Sequence, residues 1–544
     1  MPTTPLPRIA TYRLVHRWSS GTDADTSAYD EVHYMTPPGV TIDGLGRSQA
    51  RSFGPPAVPA LDDTLPNYDG IYSPGGILGL FVGRGPETTF DADWGVEIYG
   101  DADDVLGDAD VPGDGTLTKR LFSGQITTAP QDISSTSAQV QIRSLGTINQ
   151  LARKRPVMAL LENVSTDVAI EAWLDACDWP SDKRILDAGD TIMSYVWGNG
   201  QTDGVSGLNQ IVGAEGVPAC WYVDADGYLH FEGRQYRATA RRSTEVQWVF
   251  VDGARGGSLI DVLGDDPLTL GDDPYLFGDG PINNRLYHVK PTAWGSNPDE
   301  VVAEVSAPVN VRTATSTQKI WEYGGPLVLA AAQVIDIPVT TSAPFKTAVA
   351  PAAATDYSVS VGALSAVALI GTSGQQITLR LTAGGAGATV IGVTSNGIQV
   401  RAISLPVTSA LTVKSTVDVG LSSARYEPKP YTIPSWPEIT YNRALDNCNN
   451  FARRYQRPRD QMTITLANVD ARHLYAILTL AISDRVRVVH THGGIDAAFF
   501  VETIRHDLSS GGGLHIVTLG LERVTDDIPA RFGSARFGFD SFSE

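Results

Sequence analysis

The stretch WYVDADGYLHFEG (221–233) sets Asp224 and Asp226 two residues apart, with Gly227 beside them. Alternating carboxylates before a glycine can open a calcium loop, but such a loop also needs further oxygens and a bidentate Glu at its twelfth position. Here the chain runs straight on into YLHFEG. Asp and Gly supply the local hydrogen bonds and positive φ of a tight turn, so the residues predict a hairpin tip. The acidic loops DADDVLGDADVPGDG (101–115) and LGDDPLTLGDDPYLFGDGP (263–281) lack a nine-residue period and a GGxGxD core, and read as solvated turns with at most weak calcium binding. His490 and His492 share one side of a predicted strand and could begin a metal site, with His506 and Asp507 as further ligands brought in by folding. Sheet-surface histidines are the commoner outcome. There is no G-x-S-x-G, S-x-x-K or H-E-x-x-H. GRGPETTF (83–90) lacks the spacing of a phosphate loop, and GGAGAT (384–389) reads as a loop between strands with no helix to hold a phosphate. Paired carboxylates for glycoside hydrolysis stay open at this level, because Asp and Glu total 61 and no separation between two of them is legible. The expectation is no catalytic residue, no metal and no cofactor, hence no enzyme.

The elements that would position such residues are mostly strands. A chain of 544 residues with 54 Gly, 33 Pro and only 19% charged residues reads as several mainly β units. The net charge of −20 argues against specific nucleic-acid binding, which needs a basic footprint, and against anionic lipid. Cys177, Cys220 and Cys448 are odd in number, distant and outside any CxxC pair, so buried thiols in a reducing compartment are expected. The opening MPTTPLPRIATYRLVHRW has no apolar signal core, and no run reaches the roughly 18 apolar residues of a membrane span. A soluble product made in a cytoplasm is the expectation.

Residues 1–155 read as short strands, with VEIYG and AQVQIRSL alternating at period two. STDVAIEAWLDACDWP (165–180) predicts a helix capped by Thr166, with Val168, Trp173, Leu174 and Cys177 on its apolar stripe. DGVSGLNQIVGAEG (203–216) predicts a second, with Val205, Leu208, Ile211 and Val212 on one face and Gly207 and Gly213 working against it. Residues 311–425 are rich in Ala, Ser, Thr, Val and Gly, and DYSVSVGA, QQITLRLTA, GIQVRAIS and LTVKSTVDV read as strands of an inserted β-sandwich. NRALDNCNNFARRYQRP predicts a helix with Ala444, Cys448, Phe451, Ala452 and Tyr455 on one face. QMTITLAN, RVRVVHT, AAFFVETIRHD and LHIVTLGLERV follow as strands, and the end after Thr525 reads as poorly ordered. The divisions are 1–155, 156–310, 311–425 and 426–525, with a tail at 526–544; the second and fourth would be parts of one body interrupted by the insert.

Several segments in order resemble minor tail proteins of long-tailed phages of actinobacteria. They are LPNYDGIYSP (65–74), LFSGQIT (121–127), AQVQIRSLGTINQLA (138–152), RILDAGDTIMSYVWGNGQ (184–201) and EGVPACWYVDADGYLHFEGR (215–234), then PINNRLYHV, SSARYEPKPY and FVETIRHDLSSGGGLHIVTLGLERV. The likeness spreads over most of residues 40–525, while the first forty residues, 101–115 and the long acidic 255–280 depart from it. The resemblance implies a tail-tip, or baseplate hub, protein: mainly β, multidomain, with β-barrel-like hub (tube) domains, a few short helices and the inserted sandwich. It implies a homotrimer in which three chains offer six similar barrels. It also implies contacts with the distal tail protein ring, the tape-measure protein C-terminus and other tail-tip proteins, in a virion tail tip. The bulk charge suggests an acidic channel wall that repels DNA. An adhesin binding carbohydrate of the host cell envelope is the alternative, and a cell-wall hydrolase is a third reading with no motif behind it.

Overall fold

The computed structural model describes residues 11–17, 32–34, 40–47, 56–66, 87–94, 117–128, 131–132, 139–252, 285–287, 289–296, 301–372, 374–393, 396–416, 429–434, 436–490, 493–509 and 513–524. VEIYG, both long acidic loops, most of LPNYDGIYSP and of SSARYEPKPY, His492 and the tail lie outside them.

The chain is mainly β, and among the described residues its largest element is one curled, half-barrel sheet of fifteen strands. Its first half runs Val32–Tyr34, Thr11–Arg17, Glu87–Trp94, Leu117–Thr128, Gln139–Gly146, Ala60–Pro66 and Val40–Gly46, with Gln131–Asp132 also paired to Gln139–Gly146. Its second half comes from the middle and the far end of the sequence: His515–Arg523, Asp460–Ala467 and Lys290–Ser296 on one side, Arg485–His490, Val246–Val251 and Arg285–Leu286 on the other. The strand Ile495–Leu508 joins the halves. It pairs with His515–Arg523 along one edge, while its other edge takes Arg485–His490 first and Val40–Gly46 after. Fourteen residues are long enough for two partners end to end.

Alternation sets the sheet's faces. In Asp460–Ala467, Met462, Ile464 and Leu466 are buried while the residues between them are partly exposed. The buried face carries one core that runs from Tyr12 and Phe90 to Phe499 and Leu521, so both ends of the sequence share it.

A second core is built by helices Thr166–Ala176, Gly204–Glu215 and Tyr441–Tyr455 against strands Val157–Ser165 and Ile192–Asn199. The expected stripes hold for Trp173, Leu174 and Cys177, for Leu208, Ile211 and Val212, and for all five residues of the third helix. Two details differ. Ser165, not Thr166, occupies the N-cap position, because the Thr166 hydroxyl is drawn into the core to donate to Glu215 at 2.5 Å. Val168 is 43% exposed, since the helix buries the side bearing Ala169, Ile170 and Trp173 instead.

The third core lies between Leu327 and Ala402. Its long hairpin pairs Ser358–Thr372 with Gln376–Ile391. GGAGAT lies inside the second of these strands, not in a loop. Register slips between Gly362 and Leu364, and the extra residues form a bulge in which Gly387 takes φ +77°. The strands entering and leaving this unit, Val302–Arg312 and Val407–Lys414, pair with each other, and Val309 and Val413 pack in the second core. The hairpin turn is docked on the body: the Gly374 amide donates to the Met158 carbonyl at 2.9 Å, and Trp197 Nε1 donates to Gln375 Oε1 at 2.9 Å.

Candidate functional site

The DADG stretch is a turn. Cys220–Val223 and Leu229–Glu232 form the antiparallel hairpin, and Gly227 sits at φ +80°. Asp224 Oδ1 accepts the amides of Asp226 at 3.0 Å and Tyr228 at 2.8 Å, and Oδ2 lies 2.9 Å from His230 Nε2. Its oxygens are therefore committed to holding the tip. Burial, with the neighbouring Asp224 charge, raises the Asp226 carboxyl. The tip abuts the first half of the sheet: a Cβ at Gly227 would lie 3.5 Å from Ser123 Oγ.

The histidines do not converge. His490 Nδ1 accepts the Gly493 amide at 2.7 Å, and Nε2 lies 3.5 Å from Asp252. His506 and Asp507, adjacent on a strand, point to opposite faces. Asp507 accepts from Thr41 at 3.0 Å. His506 is buried: its Nδ1 lies 2.9 Å from His515 Nε2, and His515 Nδ1 lies 2.8 Å from Tyr12 Oη. Among the described residues no group of three or more His, Cys, Asp or Glu is placed to hold a metal. The three cysteines are buried and unpaired. Burial pushes the Cys177 thiol up to about 12 and the Cys448 thiol to about 11, which leaves them unreactive as nucleophiles. The DAGD stretch is structural too, for Glu215 accepts the amides of Asp190 at 3.0 Å and Thr191 at 2.9 Å.

Two arrangements were not legible in the sequence. The first is a buried ionic knot where three distant segments meet. Glu502 takes Arg237 through both oxygens, at 2.6 and 3.1 Å, and Arg47 at 3.0 Å. Ser483 Oγ receives Arg237 Nε at 3.2 Å and donates to Glu232 at 2.5 Å. Tyr222 also donates to Glu232, at 3.2 Å. Desolvation is the largest single influence on the Arg237 guanidinium and lowers it, but the charge and hydrogen bonds of Glu502, with the charge of Glu232 and the Cys220 thiol, together outweigh it and the net shift is upward.

The second is the face of the great sheet turned away from its core. Residues opposite one another across a ladder share a face, and so do alternate residues of one strand. By that rule Arg13, Asp91 and Arg120 lie with Thr89, Ser123 and Gln125, and the same face continues through Arg143, Asp62, Thr41, Asp507 and Arg505 to Thr518, Thr465 and Thr463. Its charges pair among themselves: Arg120–Asp91 at 2.8 Å, Arg13–Asp91 at 3.6 Å, Arg143–Asp62 at 3.7 Å, Arg505–Asp507 at 3.0 Å and Arg505–Asp43 at 3.6 Å. A cleft of about 600 Å³ opens on it beside Asp43, Arg143, Thr463, Thr503, Arg505 and Thr518. The one signal in sequence was the Thr, Gln, Arg and Asp at alternate strand positions; register, which joins them, was not readable.

No protein-family model matches the chain, and no curated protein matches it. Among solved structures it is similar to a tail protein from Neisseria meningitidis MC58, at 10% identity and a TM-score of 0.45, covering 94% of this chain and 96% of that one. It is similar to the 43 kDa tail protein of prophage MuSo2 from Shewanella oneidensis, at 10% identity and a TM-score of 0.45, covering 95% and 99%. It is also similar to prophage tail protein gp18 from Listeria monocytogenes EGD-e, at 9% identity and a TM-score of 0.37, covering 94% of each. At that level of likeness neither a shared fold nor a shared function follows.

Proposed function

We propose that this chain is a structural, non-enzymatic virion protein of a phage tail tip: a threefold hub that joins the tail tube and distal tail ring to the host-contacting tip and lines the path of the DNA. The observation that carries the reading is the predominantly polar, charge-paired face of the half-barrel sheet. Exposed ion pairs add little stability, with a typical contribution of about 0–1 kcal/mol. Their effect here is to cancel charge. Paired opposite charges leave little field beyond the roughly 8 Å screening length of physiological salt. The described side chains of this face therefore form a wall mostly of hydroxyls, amides and cancelled charges, with Val15, Ala60 and Leu145 as apolar interruptions. Such a wall neither holds phosphates nor needs the acidic, repelling surface that the bulk charge of −20 suggested. The order of tail-protein-like segments in the sequence supports the same reading. Within it, the partners are two further copies of the chain, the distal ring, the end of the tape-measure protein and other tip proteins.

Quantitative mass spectrometry of purified particles, counting this chain against the tube protein and the distal ring protein, tests the reading. About three copies fits the threefold hub that closed cyclic symmetry would make. A count near six moves the chain to the ring or to peripheral fibres, and absence from washed particles overturns the structural role.

A further inference from the structure

The strand Ser358–Thr372 is fifteen residues long and contains no charged residue and no proline. One edge pairs with Gln376–Ile391; among the described residues no strand pairs with the other. An open edge presents unpaired amides and carbonyls that template a further strand, and natural proteins blunt it with charge, proline or brevity. Other edges of this chain are blunted in that way. Lys290–Ser296 has Lys290 and Pro291, Val334–Thr340 has Asp336 and Pro338, Lys429–Thr432 has Lys429 and Pro430, and Val32–Tyr34 has only three residues. Ser358–Thr372 is left undefended, and Val361 on it is 65% exposed.

We propose that this edge pairs, strand to strand, with the same edge of a second copy of the chain, a twofold contact separate from the threefold contacts of the proposed hub. Charge selects the occupant. Two chains of net charge −20 repel, and they approach at least cost where neither carries charge. Residues 323–400 are such a place, with Asp336, Lys346, Asp356 and Arg380 their only charged side chains. Asp336 pairs with Arg380 at 2.7 Å, Lys346 with Glu162 at 2.8 Å, and Asp356 with Arg401 at 2.7 Å. The edge is also held in a fixed pose, because the turn that follows it is docked on Met158 and Trp197. Main-chain pairing supplies the affinity, and the alternating exposed side chains supply register.

The test uses the full chain in solution. Sedimentation equilibrium is combined with hydrogen exchange at low and high protein concentration. The wild type is expected to associate with rising concentration, with slower exchange appearing in 358–372. The double variant Val361→Lys, Ala366→Lys places charge at two exposed positions of the edge and is expected to weaken association at least about tenfold, the effect of one unfavourable contact of about 1.4 kcal/mol. Val328→Lys, 73% exposed on a different strand of the same unit, is expected to associate as the wild type does. The proposal is overturned by a chain that stays monomeric at its highest soluble concentration. It is equally overturned by association that the double variant leaves unchanged, or by exchange in 358–372 that slows only when another tail protein is added. These outcomes do not depend on the particle count, which can fail or succeed separately.

Discussion

At the scale of single residues, this chain spends its chemically able side chains on joints. His506 and His515 link strands of the second half of the sheet to Tyr12 of the first strand, in a site without water-facing polar surface. Burial lowers the His506 pKa from 6.5 to about 4, with Asp507 opposing and Lys119 reinforcing the shift; burial and the neighbouring His506 hold His515 well below its usual value. Both rings are therefore neutral in the fold, whereas the unfolded chain takes up their protons below about pH 6.5. The stability they contribute is complete above that pH and is lost as pH falls toward 4, by about 3 kcal/mol for His506 alone. Urea midpoints measured from pH 7 to pH 4 should fall through that window, and a His506→Asn variant should flatten the fall. The ionic knot makes a different prediction. Glu502→Gln leaves Arg47 and Arg237 buried without their full countercharge, and should cost about 3–5 kcal/mol in denaturant unfolding. A change within experimental error would mean that water reaches the knot.

At the scale of elements, the helix Gly204–Glu215 shows where sequence reading stops. Gly207 and Gly213 look alike in sequence, each an expected cost to helix formation. In the fold they are opposites. A Cβ at Gly207 would lie 2.0 Å from the Trp173 ring, and Trp173 Nε1 donates to the Gly204 carbonyl at 3.0 Å, so the missing side chain is what lets the two helices meet. A Cβ at Gly213 would meet nothing nearer than Pro434 at 3.8 Å. Gly207→Ala should therefore destabilise by about 2 kcal/mol through overpacking, while Gly213→Ala should stabilise by up to about 1 kcal/mol through helix propensity. Equal effects in urea unfolding would refute this packing. Apolar spacing, caps and turn chemistry made the three long helices, the DADG hairpin and the late strands legible, because those signals are local. The helix Ala471–Thr479 was missed, with no element assigned between QMTITLAN and RVRVVHT, although it had its signals: Asp470 caps the His473 amide, and Leu474, Ile477 and Leu478 are buried. The polar face and the knot were not legible, since both depend on which strand lies beside which. Strand register is set by partners hundreds of residues away.

At the scale of the whole molecule, the question is whether the central unit is a part of the body or a passenger. Arg312 and Val407 are opposite one another in a ladder, so the chain leaves and re-enters the body at neighbouring points. A hairpin loop of a few residues can span that gap. The unit also has its own core, separate from the other two. Replacing residues 313–406 by a short Gly/Ser loop should therefore leave a body that still unfolds in one cooperative step. It should be weaker, for two reasons. Trp197 would lose Gln375 and the cover of Gly374, and Arg312 would lose the Leu405 carbonyl while keeping Glu438 at 2.8 Å. Baring one aromatic side chain and breaking two or three hydrogen bonds costs about 3–5 kcal/mol. Circular dichroism of the shortened chain should retain the helical signal of the second core, with a lowered midpoint. Loss of that signal would mean that the docked turn at 374–376 is needed to form the strands Val157–Ser165 and Ile192–Asn199, and that the unit folds the body it rests on.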